Sequence, residues 1–145
     1  MGTVISDISR LTPAFGARVL AVLGALKGQG YKPTLHETYR DPARAAALVA
    51  AGKSKARGGL SMHCYGCAAD VICGDHQWDC ARHHCKFFES LGDQAEDMSL
   101  TWGGRWATLH DLPHIQAVPV AWQEKIRTAK PEEIDALVQR FFAGR

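Results

Sequence analysis

Asp70 stands inside the apolar run Ala68-Ala69-Asp70-Val71-Ile72, and that one placement restricts what this chain can become. The run reads as a buried strand, where a carboxylate needs a partner to offset its lost hydration. One candidate partner is His63, seven residues earlier. On a continuous helix that spacing amounts to about 10.5 Å of rise, and on a straight strand the two side chains point to opposite faces. They meet only if the chain turns between them, and Tyr65-Gly66 is the natural place. His63 then belongs to the turn and Asp70 to the strand that follows. Taken singly, each residue reads as a loop histidine or an unrelated strand aspartate; the apolar frame around Asp70 argues against that.

A second segment, His110-Asp111-Leu112-Pro113-His114, has the histidine spacing of a helical zinc signature. Pro113 breaks the helix that signature needs, so the segment is expected to be a turn entering a strand. Two imidazoles and a carboxylate, His63, Asp70 and His114, suffice to hold one zinc ion and leave its fourth position open. Asp111, three residues before the last of these ligands, is placed to take a proton from a water at that position. His110 reads as a surface or outer residue. The two segments together point to a metallohydrolase site split across the fold.

With 145 residues, 46% hydrophobic and 22% charged, the chain is expected to form one compact domain over residues 1–145. No apolar run approaches the ~20 residues that cross a bilayer. A net charge of +2 without a basic block argues against nucleic acid as the main partner. Phe15, Val19, Val22, Leu23 and Leu26 recur at helical spacing, so Val19–Leu26 is read as part of an amphipathic helix and not as a secretory signal. That helix should start at Thr12-Pro13, with Thr12 as N-cap, and end near Lys27. A strand is expected over Tyr31–Tyr39, a helix from Asp41-Pro42 through Ala51, and a basic, glycine-containing loop over Lys53–Gly59. Further along, a helix is expected over Cys80–Ala95, strands near Leu100–Trp102 and Ile115–Val118, and a last helix opening at Pro131. Helices flanking a small, largely antiparallel sheet give an α+β fold.

Five cysteines, at 64, 67, 73, 80 and 85, fall within 22 residues. An odd count in a chain without an export signal favours thiols or metal ligands over a disulfide framework. Cys64-x2-Cys67-x12-Cys80-x3-His84 has the spacing of a small zinc finger, but Cys64 and Cys67 lie inside the His63–Asp70 segment and read better as core residues. A second, structural zinc at Cys73, Cys80, His84 and Cys85, with His83 beside them, competes with free thiols on a polar turn. The sequence favours the thiols.

Ser61-x-His63-x-x-Gly66-x-Ala68-x-Asp70, then Trp102-Gly-Gly-Arg-Trp106 with Asp111-x-Pro113-His114, and an earlier Tyr39-Arg40-Asp41-Pro42, appear in this order. The pattern resembles the zinc D,D-carboxypeptidase and L-alanyl-D-glutamate peptidase family, and within it the small phage endolysins. The resemblance implies the Hedgehog/D,D-peptidase fold, one catalytic Zn2+ on His63, Asp70 and His114, and Asp111 as catalytic base. It also implies that Arg40 binds substrate and stabilises the oxyanion, and that Ser61 orients the site or hydrogen-bonds substrate. The substrate it implies is bacterial peptidoglycan, cut at the L-alanyl-D-glutamate bond. A D-alanyl-D-alanine carboxypeptidase on the same scaffold and a non-catalytic zinc-stabilised interaction module are the alternatives. The expected protein is a monomer without stable membrane association, made in the host cytoplasm and reaching the cell wall through a separate membrane pore. It departs from the pattern in its cysteine- and histidine-rich Cys73–Cys85 stretch and in carrying Asp111 where many members have glutamate.

Overall fold

The computed structural model describes residues 2–54, 61–108 and 110–145. Its helices are α1 (Pro13–Gly28), α2 (Pro42–Ala50), α3 (Phe87–Asp97), α4 (Gln123–Thr128) and α5 (Ile134–Ala143). Its strands are β1 (Pro33–Glu37), β2 (Ala68–Cys73), β3 (Thr101–Trp102) and β4 (His114–Gln116). The strands form one sheet in the order β1-β2-β4-β3, each neighbour antiparallel to the next. This is the expected α+β architecture, a small antiparallel sheet flanked by helices. Expected loop residues 55–59 lie outside the described residues.

The bend required between His63 and Asp70 forms as a 3-10 turn over Met62–Tyr65, closed by Gly66 in the left-handed region at φ 67°. A Cβ on Gly66 would lie 2.9 Å from the Arg10 carbonyl oxygen, so backbone angle and space both call for glycine. From there β2 runs down the middle of the sheet. α1 packs on α3 and α5, and α3 packs on β2 and β3. Of the stripe read from spacing on α1, Phe15, Val19, Val22 and Leu26 are buried and Leu23 partly so, and α3 buries Phe87, Phe88, Leu91 and Ala95. Each fully buried Phe, Leu or Val among them contributes about 1.5–3 kcal/mol.

Several boundaries differ from expectation. The helix expected over Cys80–Ala95 is split: Cys80–His83 is a separate 3-10 turn, His84 takes a left-handed φ of 53°, and α3 begins only at Phe87. Before Phe87 the segment lacks an apolar stripe to hold a helix against the core. Thr12 does not cap α1 with its side chain. Instead the Asp135 carboxylate, from α5, accepts the Ala14 N–H at 2.9 Å and ties the two helix ends together. Asp41 does cap α2, accepting the Arg44 N–H at 2.8 Å. β1 is shorter than expected and ends in a bulge between Leu35 and Glu37 that sets Glu37 opposite Asp70. The strand expected at Ile115–Val118 begins one residue earlier, at His114. The helix expected to open at Pro131 begins as a 3-10 turn, with α5 proper starting at Ile134. α4 lies in a stretch whose sequence announced no element.

Trp102 is clamped between two glycines. A Cβ on Gly92 of α3 or on Gly104 would overlap its indole ring. Gly92→Ala should therefore destabilise the chain by about 1–3 kcal/mol, the usual cost of overpacking a filled core. Urea denaturation checks it, and an unchanged midpoint would show that the indole has room to shift.

Candidate metal centre

Strand register brings the site together. β2 sets Asp70 directly opposite His114 of β4 on one side and Glu37 of β1 on the other. The Met62–Tyr65 turn returns His63 to the same point. His63 Nε2 lies 3.3 Å from Asp70 Oδ1, and His114 Nδ1 lies 3.4 Å from that oxygen. The three donor atoms all lie within 4.8 Å of one another. Ligands ~2.0–2.1 Å from a tetrahedral zinc sit roughly 3.3 Å apart, so this donor set fits such an ion.

The second nitrogen of each imidazole is already committed. His63 Nδ1 lies 2.7 Å from the Thr38 carbonyl oxygen, which can only accept, so Nδ1 carries the proton and Nε2 is free to ligate. His114 Nε2 donates to Gln116 Oε1 at 2.8 Å, which leaves Nδ1 for the ion. Gln116 is locked in turn, because its amide nitrogen donates to the Val118 carbonyl at 2.7 Å and to Gln123 Oε1 at 2.9 Å. Gln116 and Gln123 were not singled out from sequence. The available signal for Gln116 was the one that flagged Asp70: a polar residue in an apolar strand, His114-Ile-Gln116-Ala-Val118.

Burial would raise the Asp70 carboxyl, but the charges and hydrogen bonds of His63 and His114 outweigh it and hold the group well below the ordinary range. Asp111 behaves oppositely. Loss of hydration pushes its carboxyl up, opposed by His114 and reinforced by the negative charge of Asp70. Its Oδ2 lies 3.8 Å from His114 Nδ1, and its side chain stays 47% exposed, open to the cleft. Gly103 makes this approach feasible: a Cβ there would overlap the Asp111 carbonyl and come within 3.2 Å of the His114 Cβ.

Arg40 is buried at the cleft wall, its Nη2 2.9 Å from Glu37 Oε1 and 3.9 Å from Asp70 Oδ2. Arg44 Nε reaches the other Glu37 oxygen at 2.6 Å. Burial raises Glu37, but the two guanidiniums, Arg44 before Arg40, hold it lowered and ionised. Ser61 Oγ accepts the His63 N–H at 3.2 Å and so caps the turn that carries this histidine. His110 is exposed, and its Nδ1 lies 3.1 Å from the Gly104 carbonyl oxygen. His63, Asp70 and His114 open onto a cleft of about 1110 Å3 that Trp106 helps to wall, its ring centroid 5.2 Å from that of His114. Trp102 is core instead, and Tyr65 packs against the core.

The finger spacing does not come together. Burial pushes the Cys67 thiol up to about 12, as suits a packed core cysteine. Among the described residues Cys64, Cys67 and His84 join no metal-ligand cluster, whereas Cys73, Cys80 and Cys85 form one of their own. The expected free-thiol turn is thus a thiol trio.

Known proteins resemble this chain in sequence and in fold. The profile of a family described as D-alanyl-D-alanine carboxypeptidase matches residues 54–117, which include every residue of the His63, Asp70, Asp111 and His114 set. The peptidoglycan L-alanyl-D-glutamate endopeptidase CwlK of Bacillus subtilis is 26% identical over 126 residues, covering 77% of this chain and 75% of that protein. The crystal structure of the Serratia marcescens L-Ala D-Glu endopeptidase ChiX superimposes with a TM-score of 0.58 at 28% identity, covering 76% of this chain and 82% of that one.

If Gln116 fixes the His114 tautomer, Gln116→Leu should weaken zinc binding about 10–100-fold, the usual effect of losing an outer partner. Competition against a chelating dye measures this. Unchanged affinity would mean that His114 is oriented by other contacts.

Proposed function

We propose that this chain, supported by sequence and fold as one of the D,D-carboxypeptidase and L,D-endopeptidase family, is a zinc-dependent peptidase of bacterial peptidoglycan. The observation that carries this reading is the convergence of His63, Asp70 and His114 on one point of an open cleft, with the Asp111 carboxylate beside it. Those three residues would hold the ion. When bound, zinc supplies Lewis acidity and brings a water pKa down to about 7.

The chain's own groups do the rest. Asp111 accepts a proton from the attacking water and hands it to the leaving amine, and its raised carboxyl makes it a better base than an exposed aspartate. Arg40, held in place by Glu37, directs its guanidinium toward the carbonyl oxygen that gains negative charge. Ser61 acts as a positioning residue through the turn it caps. The breadth of the cleft and the presence of Asp111 favour an enzyme over a zinc-stabilised interaction module.

CwlK and ChiX both carry L-alanyl-D-glutamate endopeptidase names, which favours that bond in this chain too. The family description keeps the D-alanyl-D-alanine carboxypeptidase as the second reading. We further read the protein as a monomeric lysis enzyme of the endolysin kind, acting on the wall after release through a separate pore.

Mass spectrometry of digested murein tests the reaction, and new D-glutamate amino termini are expected. Release of D-alanine alone would move the assignment to the carboxypeptidase, and an unchanged digest would end the enzyme reading. In the same assay Asp111→Asn should keep its zinc and lose about 10²-fold or more in turnover, the scale of a missing general base. Loss of the ion in that variant would make Asp111 a ligand.

A further inference from the structure

A second set of convergent donors lies at the far end of β2. The Sγ atoms of Cys73, Cys80 and Cys85 all lie within 4.8 Å of one another. Cys73 ends β2, Cys80 opens the 3-10 turn, and Cys85 lies just beyond it, its N–H donating to the Cys80 carbonyl at 2.9 Å. Thiolates ~2.3 Å from a tetrahedral zinc sit roughly 3.8 Å apart, so the trio needs little movement to close on one ion.

The segment between the sheet and α3 shows why such a fastener is needed. From 74 to 86 Cys80 is the one buried residue, so almost no apolar contact holds the segment down. It also carries two non-glycine residues in the left-handed region, Gln77 at φ 51° and His84 at φ 53°, a conformation that costs free energy at each. Backbone hydrogen bonds tie it at Gly74 to Lys32 and between Cys73 and Gln77, and a further tie would hold it more firmly. Metal ligation does so in small, core-poor units.

Candidates for a fourth donor follow two of these cysteines in sequence, outside the group of atoms already within 4.8 Å of one another. His76 follows Cys73 after two residues across a tight turn, in which Cys73 and Gln77 exchange backbone hydrogen bonds. His83 follows Cys80 by the same spacing, one 3-10 turn on, and positions three apart in a 3-10 turn share a face. The two imidazoles stack on each other, ring centroids 4.0 Å apart and planes 13° from parallel.

We propose that Cys73, Cys80 and Cys85 bind a second, structural zinc ion, completed by an imidazole of the stacked His76–His83 pair. Three sulfurs and one nitrogen leave no open position, which marks a structural ion rather than a catalytic one. The staple also has a use at the cleft. Trp78, in the middle of the tied segment, is 48% exposed, lines the cleft and packs edge-on against His36 with ring centroids 4.9 Å apart. The ion would hold this aromatic wall in place.

The proposal does not depend on the peptidase reading, and its test separates the two. Metal analysis of the reduced, purified chain should give two zinc ions per chain, falling to one in Cys80→Ser and to one in His114→Ala. Replacement by cobalt(II) should give an intense sulfur-to-metal charge-transfer band in the parent and in His114→Ala. A mercurial that blocks thiols should displace one of the parent's two ions, a readout that stands even if Cys80→Ser fails to fold. Either His76→Ala or His83→Ala should weaken the thiol-bound ion at least tenfold; full affinity in both would overturn the imidazole ligand. A single zinc unaffected by the mercurial, a cobalt spectrum without the sulfur band, or a disulfide among the three cysteines in the fresh protein would overturn the site.

Discussion

The buried Asp70 carboxylate is the constraint on which the rest of the structure depends. It sits on the central strand with 13% of its side chain exposed, where an unpaired charge would cost several kcal/mol. The fold answers from three directions. His63 arrives by the left-handed turn at Gly66, His114 by strand register, and Arg40 from beyond β1 at 3.9 Å. A one-residue slip of β4 would carry His114 to the opposite face of the sheet and leave Asp70 without it. The demand for charge compensation and the register of the sheet are therefore the same requirement.

Around that centre a second layer spends its hydrogen bonds on orientation. The Thr38 carbonyl aims His63, and the Thr38 backbone is itself tied to the N-terminal segment through Ile5 at 2.7 Å. Gln123 and Val118 aim Gln116, which aims His114. Glu37 holds Arg40 and Arg44 with one carboxylate, a buried pairing in which removal of the acid would take the shared partner from both guanidiniums. The three donors are therefore already aimed at one point, so a metal bound there would need little reorganisation of the chain.

Much of this was legible from residue types. The turn at Gly66, the strand at Asp70, the proline-blocked helix at Pro113 and the apolar stripes of α1 and α3 all follow from local rules, and all are present. The parts that were not legible depend on contacts distant in sequence. Asp135 takes over the capping of α1 across 121 residues, which no reading of Thr12-Pro13 could show. Gln116 matters because of what β4 faces, and its neighbours in sequence say little about that. The Cys80–Ala95 pattern concealed a break at His84, because the residue that takes the left-handed conformation there is not a glycine. Cys73, Cys80 and Cys85 read in sequence as free thiols on a polar turn, and only the fold brings the three together.

The central claim is that His63, Asp70 and His114 form one hydrolytic metal site. Zinc content and murein hydrolysis of His63→Ala, measured beside the parent with circular dichroism to confirm the fold, test it most directly. The account predicts a folded chain that has lost one zinc ion and all hydrolysis. A folded His63→Ala chain with its full zinc and full activity would contradict it.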